Sequence, residues 1–157
     1  LEFNEVFVYG SNYEGFSGAG AAGYASFNKF GNIWREEKYN EKPDGWKGKW
    51  NVKGVSEGFQ EGEIGKSYAI PTVTKPGAKR SIPIWKISEN IDKFYKFAAE
   101  NPQYIFYVAQ GVVGNLNGYS IEEMALAYVG EIPENVYFYE PFAKILQEKL
   151  DKFEQDK

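Results

Sequence analysis

The sequence predicts an α/β domain: a mostly parallel sheet with helices on both faces. Three observations predict it. Short runs such as residues 6–9 and 104–109 are apolar on both faces, as strands covered from two sides must be. Segments with helical spacing of apolar residues alternate with those runs. Gly-rich stretches follow two of the strands and lead into helices, the usual βα connection.

The elements follow in order. Val6, Phe7, Val8 and Tyr9 form the first strand, stopped by Gly10, and residues 10–20 read as a loop of Gly, Ser and Asn. Ala22, Ala25 and Phe30 place a helix over 21–30, with Gly31 as its stop. Residues 34–57 hold Trp34, Trp46 and Trp50 among Lys, Glu, Gly and Asn, without periodicity. They are expected to form a Trp-rich insertion with a hairpin at Asp44-Gly45, either a surface excursion pinned by its Trp side chains or a lid or partner surface. A second strand is expected over 67–74. Ser88 is expected to cap a helix over 88–100, with Ile87, Ile91, Phe94, Tyr95 and Ala98 on one face and Asn101-Pro102 at its end. A buried strand over 104–109 comes next, followed by a loop punctuated by Gly111, Gly114 and Gly118. Ser120 and Glu123 match a capping box for a helix reaching about 129. A fourth strand over 136–139 precedes a helix with Pro141 in its first turn and Phe142, Ile145, Leu146, Leu150 and Phe153 on one face.

At 157 residues the chain suits one domain, residues 1–157, able to hide roughly 70% of its unfolded surface without staples. It has no Cys and no His, which excludes disulfides, thiolate nucleophiles, imidazole catalysis and zinc sites built on either residue. The net charge is −4, and only Arg35 and Arg80 are Arg, a balance that speaks against nucleic acid as the partner. Charge is uneven: residues 66–96 carry seven basic and two acidic residues, and 122–157 nine acidic and four basic, read as solvated faces. No run approaches the ~18 apolar residues of a membrane span, and the first residues lack a basic-then-apolar leader. A cytoplasmic protein with no cofactor and no membrane partner is expected.

Chemistry is expected at the two Gly-rich loops. The first contains Gly10, Ser11, Asn12, then Gly18, Ala19, Gly20 and Ala21; the second contains Gly111, Val112, Val113, Gly114 and Asn115. Small residues let backbone N–H groups approach an anion, and a following helix N-terminus adds partial positive charge. Two such loops on neighbouring strands can clamp a diphosphate without Arg or Lys. Residues 18–23 also fit G-x-G-x-x-G, but they lie too far past the strand for a dinucleotide fingerprint.

Gly10-Ser11-Asn12 followed by Gly18-Ala19-Gly20-Ala21-Ala22 resembles the macrodomain motif. Gly58-Phe59-Gln60 with Ser67-Tyr68-Ala69-Ile70-Pro71-Thr72 resembles the next family segment, and Gln110-Gly111-Val112-Val113-Gly114 with Gly118-Tyr119-Ser120 the phosphate loop and its helix. The likeness is to an uncharacterised bacterial and phage branch, and covers about 5–35 and 54–143. It implies a three-layer α/β/α macrodomain-like fold with a mixed, mostly parallel sheet. It also implies binding of ADP-ribose or a related nucleotide diphosphate, with Asn12 against the distal ribose. Gly18, Ala19 and Gly20 would then line the diphosphate, and Gly111, Val112, Val113 and Gly114 would donate to phosphate. Ala22 stands where hydrolytic members often carry an acid, and Val113 where they often carry an aromatic.

Three functions stay open from the sequence. The first is a binding module for such a nucleotide. The second is a hydrolase of ADP-ribosyl esters or adducts, with Asn12 as the catalytic candidate orienting water and Glu14 or Glu61 as base. The third is a non-enzymatic, phage-type interaction protein that meets a protein partner through the Trp-rich insertion.

Overall fold

A computed structural model describes residues 4–14, 56–61, 66–75, 77–109, 112 and 117–155. These residues form a mixed sheet in the order β2-β3-β1-β4-β5. The strands are β1 (Glu5–Asn12), β2 (Gly58–Glu61), β3 (Lys66–Val73), β4 (Ile105–Val108) and β5 (Val136–Phe138); the helices are α1 (Ile84–Glu100), α2 (Ile121–Ala125) and α3 (Glu140–Gln155). β1 pairs in parallel with both β3 and β4, and β4 with β5; β2 lies antiparallel on β3 at one edge. The helix expected over 21–30 and the insertion, apart from Ser56 and Glu57, lie outside the described residues.

Alternation along the strands decides what is core. Val6 and Val8 of β1, Tyr68 and Ile70 of β3, and Phe106 and Val108 of β4 share one face and join a single apolar cluster. Onto it pack Ile87, Ile91, Phe94, Tyr95 and Ala98 of α1, Met124 and Ala125 of α2, and Phe142 and Leu146 of α3. Much of the aromatic excess is spent here: Phe94 meets Phe106 edge-on at 5.5 Å, and Tyr128 meets Phe142 at 5.0 Å. On the opposite face Tyr9 is also buried, whereas Tyr107 and Tyr137 stack at 5.8 Å and stay part-exposed. The strand expected to be buried on both faces at 104–109 is therefore open on one side near the β5 edge.

Several expectations shift. β1 does not stop at Gly10 but continues through Ser11 and Asn12, because β3 offers a partner along that whole length. α1 begins at Ile84, one turn before Ser88; Pro83 takes the N-cap position with φ −66° and ψ 153°, a conformation proline favours. α2 forms its capping box as read, Ser120 Oγ accepting from Glu123 N at 3.0 Å, but ends after five residues. The four-residue β2 adds a strand that periodicity could not reveal.

Candidate functional site

β1 and β4 are adjacent and parallel, so both chains leave the sheet at the same edge. Glu5–Val8 of β1 faces Ile105–Val108 of β4 in register, and Ala109 N donates to Val8 O at 2.8 Å as the second loop begins. β1 runs four residues further than β4, to Asn12, still paired with β3. The described parts of the two Gly-rich segments are thus rooted side by side at the carboxyl edge, where ligands of open α/β sheets bind.

At that edge Gly10, Ser11 and Asn12 are strand residues. Ser11 and Asn12 are both buried, at 5% exposure each. Ser11 Oγ donates to Ser56 O. A bulge between Ser11 and Asn12 shifts the register: Ser11 faces Pro71, Asn12 faces Val73, and Thr72 is passed over. Such bulges turn the chain and re-aim side chains next to sites. Tyr13 N then donates to Val73 O at 3.3 Å and carries the chain off the sheet. In the second loop Val112 N donates to Ala109 O at 3.1 Å and Val112 O accepts from the Tyr128 hydroxyl at 3.3 Å, while its side chain fills the core. Its amide is engaged within the turn. Gly18, Ala19, Gly20, Ala21, Gly111, Val113, Gly114 and Asn115 lie outside the described residues.

Asn90 was not singled out in the sequence, yet it joins helix to site. It stands on the buried face of α1 at 2% exposure, and its Nδ2 donates to Pro71 O at 3.1 Å and to the Tyr13 hydroxyl at 3.3 Å. Among the described residues its buried Oδ1 has no hydrogen-bond partner. A buried acceptor left unmatched costs about 1–3 kcal/mol. The available sequence signal was a polar residue beside Ile91 on an otherwise apolar helix face.

The exit of the second loop is clamped from the β3–α1 connection. Arg80 N donates to Asn117 O at 2.7 Å, and the Arg80 guanidinium meets Glu123 at 3.0 Å and lies 4.4 Å over the Tyr119 ring. Gly118 has φ +89°, and a Cβ there would come within 2.7 Å of Lys79 Cβ, so only glycine fits this crossing. The Arg80 hydrogen bond, then the Ser120 amide, holds the Glu123 carboxyl below its ordinary value.

Two other features lie elsewhere. Glu61, a candidate base, sits opposite Lys66 and pairs with it at 3.8 Å, at the end of β3 away from Asn12. It cannot serve a reaction at Asn12. Glu14 is exposed next to Tyr13. A cleft of about 660 Å³ lies between α1, β4 and the segment before β5, lined by Tyr95, Tyr104, Ile105, Ile132 and Tyr137. It opens at the amino ends of β4 and β5, remote from Asn12, and its size alone does not make it the site. No described helix is long and apolar enough to cross a membrane.

No family model matches the chain, and no curated protein matches it. Among solved structures, a point mutant of the Oceanobacillus iheyensis macrodomain is similar over 99% of this chain and 88% of its own, at 16% identity and a TM-score of 0.50. At that identity the likeness speaks to fold alone. With the mixed five-stranded sheet described above, it gives this chain a macrodomain-like α/β fold.

Proposed function

We propose that the protein is a binding module for ADP-ribose or a related nucleotide diphosphate, held at the carboxyl edge of β1 and β4. One observation carries the reading: β1 and β4 are parallel neighbours, so the segments that follow them leave the sheet at the same carboxyl edge, β1 reaching four residues further. On this reading Asn12 contacts the ribose, and the backbone amides of Gly18, Ala19, Gly20 and Ala21 and of Gly111, Val113, Gly114 and Asn115 donate to the diphosphate. Backbone donors suit an acidic chain without His, since they bring no side-chain charge of their own. The reading carries with it the bacterial and phage branch resemblance, a single domain and a cytoplasmic setting.

Binding without turnover is favoured over hydrolysis. Glu61 is removed as a base by its position, and Ala22 brings no acid to the first loop. Calorimetric titration with ADP-ribose tests the proposal. Saturable heat, reduced at least about tenfold in affinity by Asn12→Ala, is the expected result. Absence of heat at millimolar ligand from folded protein overturns it.

A further inference from the structure

We propose that the cleft at the amino ends of β4 and β5 binds a small organic cation, an ammonium carried on an apolar chain or ring. This site owes nothing to the nucleotide reading, because it lies at the other end of the sheet from Asn12. Its volume of about 660 Å³ is that of a small-molecule pocket. Part of its wall is apolar, with Tyr95 from α1, Ile105 from β4 and Ile132 from the segment before β5. Its charge is one-sided. Asp92, Glu131 and Glu134 line it, and Lys96 is the one basic residue among the described residues that do so. Lys96 is already given to Asp92, at 3.2 Å and one turn away on α1. Glu131 and Glu134 are the surplus. Both are exposed, and neither has an ion-pair partner among the described residues.

Two solvated glutamates alone would be an ordinary surface. Two further observations set these apart. Tyr95 is 5% exposed, and its buried hydroxyl has no hydrogen-bond partner among the described residues. Burial holds this phenol above its ordinary value, so it stays neutral and its oxygen is free to accept. The second observation is a cation that the chain itself keeps at this end of the sheet. Lys66 is 4% exposed, and its ammonium lies 3.8 Å from Glu61 and 5.7 Å from the centroid of the Tyr104 ring. Tyr104 also lines the cleft. An ammonium between a carboxylate and a tyrosine is thus already stable here. The cleft offers a second ammonium the same kinds of group, the carboxylates of Glu131 and Glu134 and the oxygen of Tyr95. The apolar body of the ligand packs on Ile105 and Ile132. An anion would meet the surplus negative charge instead.

The test titrates benzylammonium, benzyl alcohol and benzoate, separately, into the wild type, Tyr95→Phe and the double variant Glu131→Gln/Glu134→Gln, followed by amide resonances. The spectrum and unfolding midpoint of each variant check its fold. Tyr95→Phe removes an unmatched hydroxyl and should cost little stability. Benzylammonium is expected to shift Gly130, Ile132 and Tyr137 saturably, benzyl alcohol to bind more weakly, and benzoate to leave them unmoved. The double variant weakens benzylammonium roughly 2- to 10-fold, and Tyr95→Phe weakens it roughly 3- to 10-fold. Benzyl alcohol or benzoate binding as tightly as benzylammonium, wild-type affinity in either variant, or no shift at Ile132 overturns the cation site. None of these outcomes alters the expectation for ADP-ribose at Asn12.

Discussion

Two asparagines, Asn90 buried and Asn135 half-buried, mark the two ends of the sheet. At the amino end, Asn135 Nδ2 lies 2.9 Å from Ala98 O, 3.1 Å from Asn101 O and 3.0 Å from Tyr104 O, tying the end of α1 to the start of β4. At the carboxyl end, Asn90 donates to Pro71 O and the Tyr13 hydroxyl, and its own carbonyl has no partner among the described residues. The same side chain thus closes one end and leaves the other polar and incomplete. The comparison teaches that Asn135 spends its amide on holding α1 to β4, whereas Asn90 keeps a polar atom that its packing among the described residues does not use.

Substitutions can break or sharpen this contrast. Asn135→Ala leaves several carbonyls without their side-chain donor and is expected to cost about 2–3 kcal/mol in denaturant unfolding, without changing ADP-ribose affinity. Gly118→Ala forces a Cβ onto Lys79 in a left-handed conformation and should cost more than about 1 kcal/mol, with weaker nucleotide binding because the second loop ends there. Asn90→Leu loses two donated bonds but also deletes the stranded carbonyl, so its stability cost should be about 1 kcal/mol, less than that of Asn135→Ala. A larger stability loss at Asn90 than at Asn135 would erase the contrast.

The smallest effect is in acid. The folded-state pKa of Glu123 is lowered, first by the Arg80 hydrogen bond. Its contribution is therefore present above the ordinary carboxylate value of 4.5 and lost as pH falls through the lowered folded value. Unfolding midpoints measured from neutral pH to below pH 4.5 should show a shallower acid slope for Glu123→Gln than for the wild type. In base the sign reverses. Burial, then the charge of Glu57, raises the Tyr68 phenol to about 12, so its stabilising effect is full below pH 10 and fades between pH 10 and about 12. Tyrosinate absorbance should show a late-titrating fraction that appears only with unfolding.

Much of the fold was legible because it rests on local patterns. The apolar runs at Val6–Val8 and Phe106–Val108, the α1 stripe from Ile87 to Ala98 and the Ser120–Glu123 capping box each occupy the places their periodicity or hydrogen-bond chemistry demands. The misreadings were set by tertiary pairing. β1 extends through Gly10 because β3 is there to receive it, and β2 forms from four residues because an edge strand needs only one partner. The sequence placed Gly10, Ser11 and Asn12 in a loop, whereas pairing with β3 makes them the end of β1. Asn90 was not legible, because its role depends on Pro71 and Tyr13, 19 and 77 residues away in sequence.

The most direct measurement is a map of amide shifts on adding ADP-ribose to the uniformly labelled protein. The account predicts saturable shifts at Gly10, Ser11, Asn12, Tyr13 and Ala109, with Ile132 and Asn135 in the amino-end cleft unmoved. Shifts confined to that cleft, with Ser11 and Asn12 silent, would contradict it.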